Sequence, residues 1–113
     1  MPKRATESPC CSEGHGTAAA AAPVSAGVAD VNRKFGDFMK AAGAPGALDA
    51  KVKQACAIAL SVITKCEPCT RRHVEKALKM GFTQDQIDEA AWIAIAFGGS
   101  PVMMFYEGVR KGE

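Results

Sequence analysis

The sequence predicts an all-α protein, and three observations carry that reading. Apolar residues recur at intervals of three and four from Val28 onward, no stretch alternates apolar with polar residues as a half-buried strand would, and helix start and stop signals bracket the periodic segments. Five helices follow in a chain of 113 residues, a length that allows one domain with a modest core.

Residues 1–27 stand apart from the rest. Pro2, Pro9 and Pro23, the polar stretch from Ser8 to Gly16 and the alanine run Ala18 to Ala22 supply too few large apolar side chains to offset the entropy of ordering them. A flexible low-complexity tail over 1–27 and a helical domain over 28–113 are therefore expected. The tail holds Cys10, Cys11 and His15. Adjacent cysteines can chelate a soft metal or metalloid or exchange with a second disulfide, or they can be incidental.

The first helix is marked by Val28, Val31, Phe35, Phe38, Met39 and Ala42, one apolar stripe, and is stopped by Gly43, Pro45 and Gly46. Asp49 is the expected N-cap of the second, which carries Val52, Ala55, Cys56, Ala59, Leu60 and Ile63 along one face. Ala57, Ile58 and Val62 fill its other sides, so this helix should be the buried one, with Cys56 a small core residue. A third helix runs from about Pro68, with Val74, Ala77 and Leu78 facing inward, Lys76 and Lys79 in its last turns and Gly81 as a left-handed C-cap. Thr83 and Gln86 form a capping-box pattern that opens a fourth, through Ile87, Ala90, Ala91, Ile93, Ala94 and Phe97, until Gly98 and Gly99 break it. Ser100 as N-cap and Pro101 at the first helical position begin the fifth, with Val102, Met103, Phe105, Tyr106 and Val109. Trp92, and Met103 and Met104 with Phe105, are expected to pack in the core or at a subunit interface; Trp92 could also cover a site entrance.

Composition narrows the function. The net charge of +2 comes from 14 basic and 12 acidic residues spread along the chain, which argues against a nucleic-acid partner. No apolar run approaches the roughly 20 residues of a membrane span, and no apolar leader segment stands at the start. Five cysteines cannot all pair within one chain, so a secreted disulfide scaffold is disfavoured and a reducing cytoplasm is the expected compartment.

The chemistry concentrates in Lys65-Cys66-Glu67-Pro68-Cys69-Thr70-Arg71-Arg72-His73. If a helix begins near Pro68, Cys66 sits at its cap and Cys69 in its first turn, where unsatisfied N–H groups and the helix dipole favour the thiolate, the reactive form. His73, four residues after Cys69, shares its face and could accept the thiol proton or orient a water. Arg71 and Arg72 add positive charge. By position Cys66 is the more exposed thiol, whereas Cys69 is the one aligned with His73. These motifs call for no cofactor.

Lys53 through Cys69 and His73, the helix end Ala77-Leu78-Lys79-Met80-Gly81, the restart from Thr83 to Glu89, and Gly98-Gly99-Ser100-Pro101 together resemble the alkylhydroperoxidase D and carboxymuconolactone decarboxylase superfamily over most of residues 30–110. The resemblance implies an all-helical alkylhydroperoxidase D-like fold that assembles into homo-trimers or hexamers. For members with cysteines it implies a thiol peroxidase or disulfide reductase acting on a small peroxide or on a protein disulfide or thiol partner. Lactone decarboxylation has no evident use for a redox dithiol. Carried over by position, Cys69 is the attacking thiol, Cys66 its resolving partner and His73 the base of a proton relay. Two positions depart from the family pattern. Gln54 stands where a glutamate is expected twelve residues before the first cysteine, and Pro68 stands where a histidine is. Gln54 can hydrogen-bond but cannot accept and release a proton at neutral pH, so Glu67 or Glu89 would have to take that part of the relay. A different class of function is a metal or metalloid binder for zinc or arsenite, with Cys66, Cys69 and His73 joined by Cys10 and Cys11 or by Cys56.

Overall fold

The computed structural model describes residues 25–112. The tail expected over 1–27, with Cys10, Cys11 and His15, lies outside the described residues except for its last three positions. Among the described residues there are five helices and no strand: α1 (Ala26–Gly43), α2 (Ala50–Ile63), α3 (Glu67–Lys79), α4 (Gln84–Gly98) and α5 (Ser100–Arg110). They fall into two compact units, which divide between Ala44 and Pro45.

In the first unit, α1 starts two residues earlier than its apolar spacing suggests. The Ser25 hydroxyl accepts the Val28 N–H at 3.2 Å, and this cap lets Ala26 and Gly27 join the first turn. The helix stops at Gly43 as expected. Its stripe of Val28, Val31, Phe35 and Phe38 is exposed, the two phenyl rings lying 6.2 Å apart. Asp30 pairs with Arg33 and Lys34 on the solvated side.

The second unit is a bundle of α2 to α5 in which α2 packs against each of the other three helices. Its core is built from Ile58 and Val62 of α2, Ala77 of α3, Ile87, Ala90, Ala91, Ala94 and Ile95 of α4, and Val102 and Tyr106 of α5, with Phe82 between α3 and α4. The alanines of α4 let the α2 backbone come close. Burial differs from the sequence reading in instructive places. α2 is not buried all round, because Val52, Cys56 and Leu60 are exposed and only Gln54, Ile58, Ser61 and Val62 are covered. An apolar surround in sequence thus does not put Cys56 in the core. On α3, Ala77 packs inward but Leu78 is half exposed. On α4 the inward row is Ile87, Ala91 and Ala94 with Ala90 and Ile95, which turns Trp92, Ile93 and Phe97 outward, Phe97 with 83% of its surface exposed. Met104 also faces out, while Met103 and Phe105 pack partly against the core.

In the second unit the helix boundaries at Asp49, Thr83 and Gly81 follow their signals and the start of α5 does not. Asp49 accepts the Val52 N–H at 2.8 Å. Thr83 and Gln86 form both bonds of a capping box. Gly81, at φ +97°, ends α3 in a Schellman motif: the Phe82 N–H reaches the Ala77 carbonyl and the Gly81 N–H the Leu78 carbonyl. At α5, however, the cap is Gly99, at φ 80° and ψ −162°, and Ser100 is already helical with no side-chain cap bond. Only glycine tolerates that backbone, and its carbonyl accepts from both Val102 and Met103, leaving the serine nothing to cap. No helix of the described residues is long and apolar enough to cross a membrane.

Candidate active site

The end of α2 delivers the chain directly into the cysteine pair. Thr64 closes the helix, Lys65 takes the left-handed conformation at φ 55°, and Cys66 is extended. The Cys66 N–H bonds to the Ser61 carbonyl at 3.2 Å and the Lys65 N–H to the Val62 carbonyl at 2.9 Å, a Schellman turn with lysine where glycine is usual. Cys66 is thereby both the end of one helical motif and the N-cap of α3, where its sulfur accepts the Cys69 N–H at 3.3 Å. Pro68 sits in the first turn, where a missing N–H leaves no bond unmade.

Cys66 and Cys69 are joined as a disulfide with Cα atoms 5.3 Å apart. Cys69 is buried and Cys66 is half-buried, so Cys66 is the more open residue of the pair. A chain of hydroxyls holds the pair from beneath. Fully buried Thr70 donates to the Cys66 carbonyl at 3.0 Å or to the Ser61 hydroxyl at 3.2 Å, and Ser61 donates to the Ile58 carbonyl at 2.9 Å. These bonds tie the cysteine turn to the α2 backbone.

His73 is half-buried one turn after Cys69 on α3, and Gln54 reaches it from α2. The Gln54 side-chain amide, 5% exposed, donates to the His73 carbonyl at 2.8 Å and lies 3.4 Å from ring atom Nδ1. The structure therefore brings together Cys66 with Cys69, and Gln54 with His73, at the α2/α3 contact. The two carboxylates that could complete the relay lie elsewhere. Glu67 is exposed and held by Arg71 through bonds of 3.1 and 2.7 Å. Glu89 is exposed on α4, in the wall of a hollow of about 440 Å³ formed with Asp85, Asp88, Trp92, Ile93 and Ala96. Trp92 thus lines an open surface hollow, which rules out the core packing and leaves the interface packing expected of it untouched. Among the described residues no group of three His, Cys, Asp or Glu side chains is placed to hold a metal ion. Cys10 and Cys11, the further candidate ligands, lie outside the described residues.

A polar cluster on α4 and α5 had no sequence signal beyond its residue types. Tyr106 donates to Asp88 at 2.6 Å, Arg110 makes two bonds to the same carboxylate at 3.0 and 2.8 Å, and Gln84 adds a third partner at 3.0 Å. The Arg110 guanidinium, helped by Tyr106 and Gln84, lowers the Asp88 carboxyl to about 2. Burial, and then the neighbouring carboxylate, push the Tyr106 phenol well above its ordinary range. The spacing of 18 and 22 residues between these partners is what hides such a cluster from a sequence reading.

With this geometry in place, the chain can be set beside known proteins. Residues 29–107 match the carboxymuconolactone decarboxylase family. A curated relative from Paracoccus denitrificans, an uncharacterized protein of the cox locus, is 39% identical over 66 residues, which are 58% of this chain and 60% of that protein. An uncharacterized protein of Cupriavidus necator is 34% identical over 90 residues, 67% of this chain and 80% of its own length. Among solved structures, Thermotoga maritima TM1620 superposes with a TM-score of 0.67 at 28% identity, covering 72% of this chain and 71% of that one. A second crystal structure of TM1620, with a TM-score of 0.66, describes it as a family protein with a suggested part in an antioxidative response. Over most of its length, in sequence and in helix arrangement, the chain belongs to the carboxymuconolactone decarboxylase family.

Proposed function

We propose that the protein is a thiol-disulfide oxidoreductase of peroxidase or reductase type whose working group is the Cys66–Cys69 pair. The observation that carries this reading is the disulfide itself, set at the start of α3 with the Cys66 sulfur as helix cap. Charge that appears on either sulfur when the bond opens meets N–H groups and the positive end of the helix dipole. The suggested antioxidative role of TM1620 is consistent with it.

In the reductive half-reaction a thiolate attacks the more open Cys66 sulfur. The S–S bond breaks, its electron pair leaves on Cys69, and a second thiol releases the mixed disulfide to give two protein thiols and one oxidised dithiol. In the oxidative half-reaction toward a peroxide, the Cys69 thiolate attacks the O–O bond. The alcohol leaves with a proton from solvent, and Cys66 condenses with the Cys69 sulfenic acid to restore the disulfide and release water. Exposed apolar residues on the second unit, among them Leu60, Ile93, Phe97 and Met104, support assembly of the chain as a homo-oligomer.

The test is turnover of a small disulfide and of an alkyl hydroperoxide with a dithiol reductant. Cys66→Ser and Cys69→Ser should each abolish both activities, and retention of either activity by both variants would sink the proposal. Cys56→Ser should leave them unchanged.

A further inference from the structure

Gln54 is buried, polar and aimed at the residue expected to serve as base, and its bonding restricts what that residue can do. The backbone carbonyl of His73 can only accept a hydrogen bond, so the Gln54 atom 2.8 Å from it has to be the amide nitrogen. Reversing the amide would set two oxygens against each other at that distance. The same NH2 group lies 3.4 Å from His73 Nδ1, with a second hydrogen left to give. An NH2 group accepts nothing, so Nδ1 must present its lone pair. In the neutral imidazole the proton then sits on Nε2, and the outer edge of the ring is a donor edge.

We propose that Gln54 is a positioning residue that locks His73 in the Nε2–H tautomer, so that the imidazole serves the dithiol as a hydrogen-bond donor to a thiolate and not as a base. The tautomer follows from the amide geometry alone; the role assigned to it rests on the dithiol reading above. Cys69, one helical turn before His73 on the same face, is the sulfur that takes the electron pair when a thiolate opens the disulfide at Cys66. A donor stabilises that leaving thiolate without a proton transfer. The lone pair that would deprotonate a thiol for attack on a peroxide is turned toward Gln54. The substitution of an amide for the carboxylate of the family pattern thus biases the site toward disulfide exchange over peroxide turnover. A carboxylate at position 54, turned away from the His73 carbonyl, would accept from Nδ1–H and reverse the tautomer.

The test is histidine-selective 15N NMR on the full-length disulfide form at about pH 8, above the ordinary imidazole range, with His15→Gln used to assign His73. The wild-type ring should show a pyrrole-type Nε2 and a pyridine-type Nδ1. Because an unconstrained imidazole already leans to Nε2–H in water, the decisive comparison is Gln54→Glu, in which the proton should move to Nδ1. The reduced variant should then be oxidised by an alkyl hydroperoxide at least about 100-fold faster, the low side of what a general base contributes. A pyrrole-type Nδ1 in the wild type overturns the lock even if the variant fails to fold, and so does an unchanged tautomer in a folded Gln54→Glu protein. A reversed tautomer with no gain in peroxide rate overturns the role. Should the dithiol fail to cycle while the tautomer is as stated, the oxidoreductase reading falls and the lock remains.

Discussion

Asp88 gathers Tyr106, Arg110 and Gln84 onto one carboxylate, and the stability this confers depends on its charge. Its folded-state value of about 2 lies below the roughly 3.9 of an unfolded aspartate, so the contribution is complete above about pH 4 and is lost as pH falls toward 2. Asp88→Asn should remove that part of the acid dependence, visible as a flatter plot of urea midpoint against pH in this window. Tyr106→Phe deletes a hydrogen bond to a charged group and should lower unfolding stability by about 1.5–3 kcal/mol in urea titrations. Neither residue could be picked out from its neighbours in sequence, since the cluster is made by the packing of α4 on α5. The cysteine pair and His73 were legible because their spacing of three and four residues is itself local. Gln54 was legible as a departure from a family pattern. Its contact with His73, across two helices, was not.

The helix ends show where local chemistry is enough to read. Asp49, Thr83 with Gln86, and Gly81 act as the sequence says they should, because each satisfies end groups within a few residues. Lys65 performs the same service as Gly81 without a glycine to announce it, and at φ 55° its Cβ carries a left-handed penalty of about 1–2 kcal/mol. Glycine recovers that penalty but gives back part of it in unfolded-state entropy. Lys65→Gly should therefore raise stability by about 0.5–1 kcal/mol, read from the same titrations, and an unchanged or lower value would show the turn to be unstrained. Gly98 is the opposite case. A Cβ there would run into a Val102 methyl and come close to Ile63, so three helices meet over a missing side chain. Gly98→Ala should destabilise by about 1–3 kcal/mol through overpacking. In sequence Gly98 is legible only as a helix breaker, because close approach between helices leaves no trace in spacing.

On the scale of the whole molecule, the all-α class and the order of five helices were readable from periodicity, whereas which face is covered was not. The fourth helix is apolar on more than one side, and only the packing decides that Ala91 and Ala94 go in while Ile93 and Phe97 stay out. Large exposed apolar side chains at Leu60, Ile93 and Phe97 are what an associating surface requires. Sedimentation should give a homo-oligomer, the trimer or hexamer that the family resemblance implies, and Phe97→Asp should shift it toward monomer. A wild-type monomer at micromolar concentration would contradict the assignment of that surface.

The reversibility of the Cys66–Cys69 bond carries the functional reading most directly. Purified protein should be equilibrated in graded dithiol redox buffers, its free thiols trapped, and the state of Cys66 and Cys69 read by mass spectrometry. A disulfide that opens and closes at one defined potential, from either direction, is the expected result, with closure hastened by an alkyl hydroperoxide only modestly while Gln54 is present. A pair that stays as two thiols in every buffer, or a disulfide that never opens at any potential the dithiols reach, would contradict it.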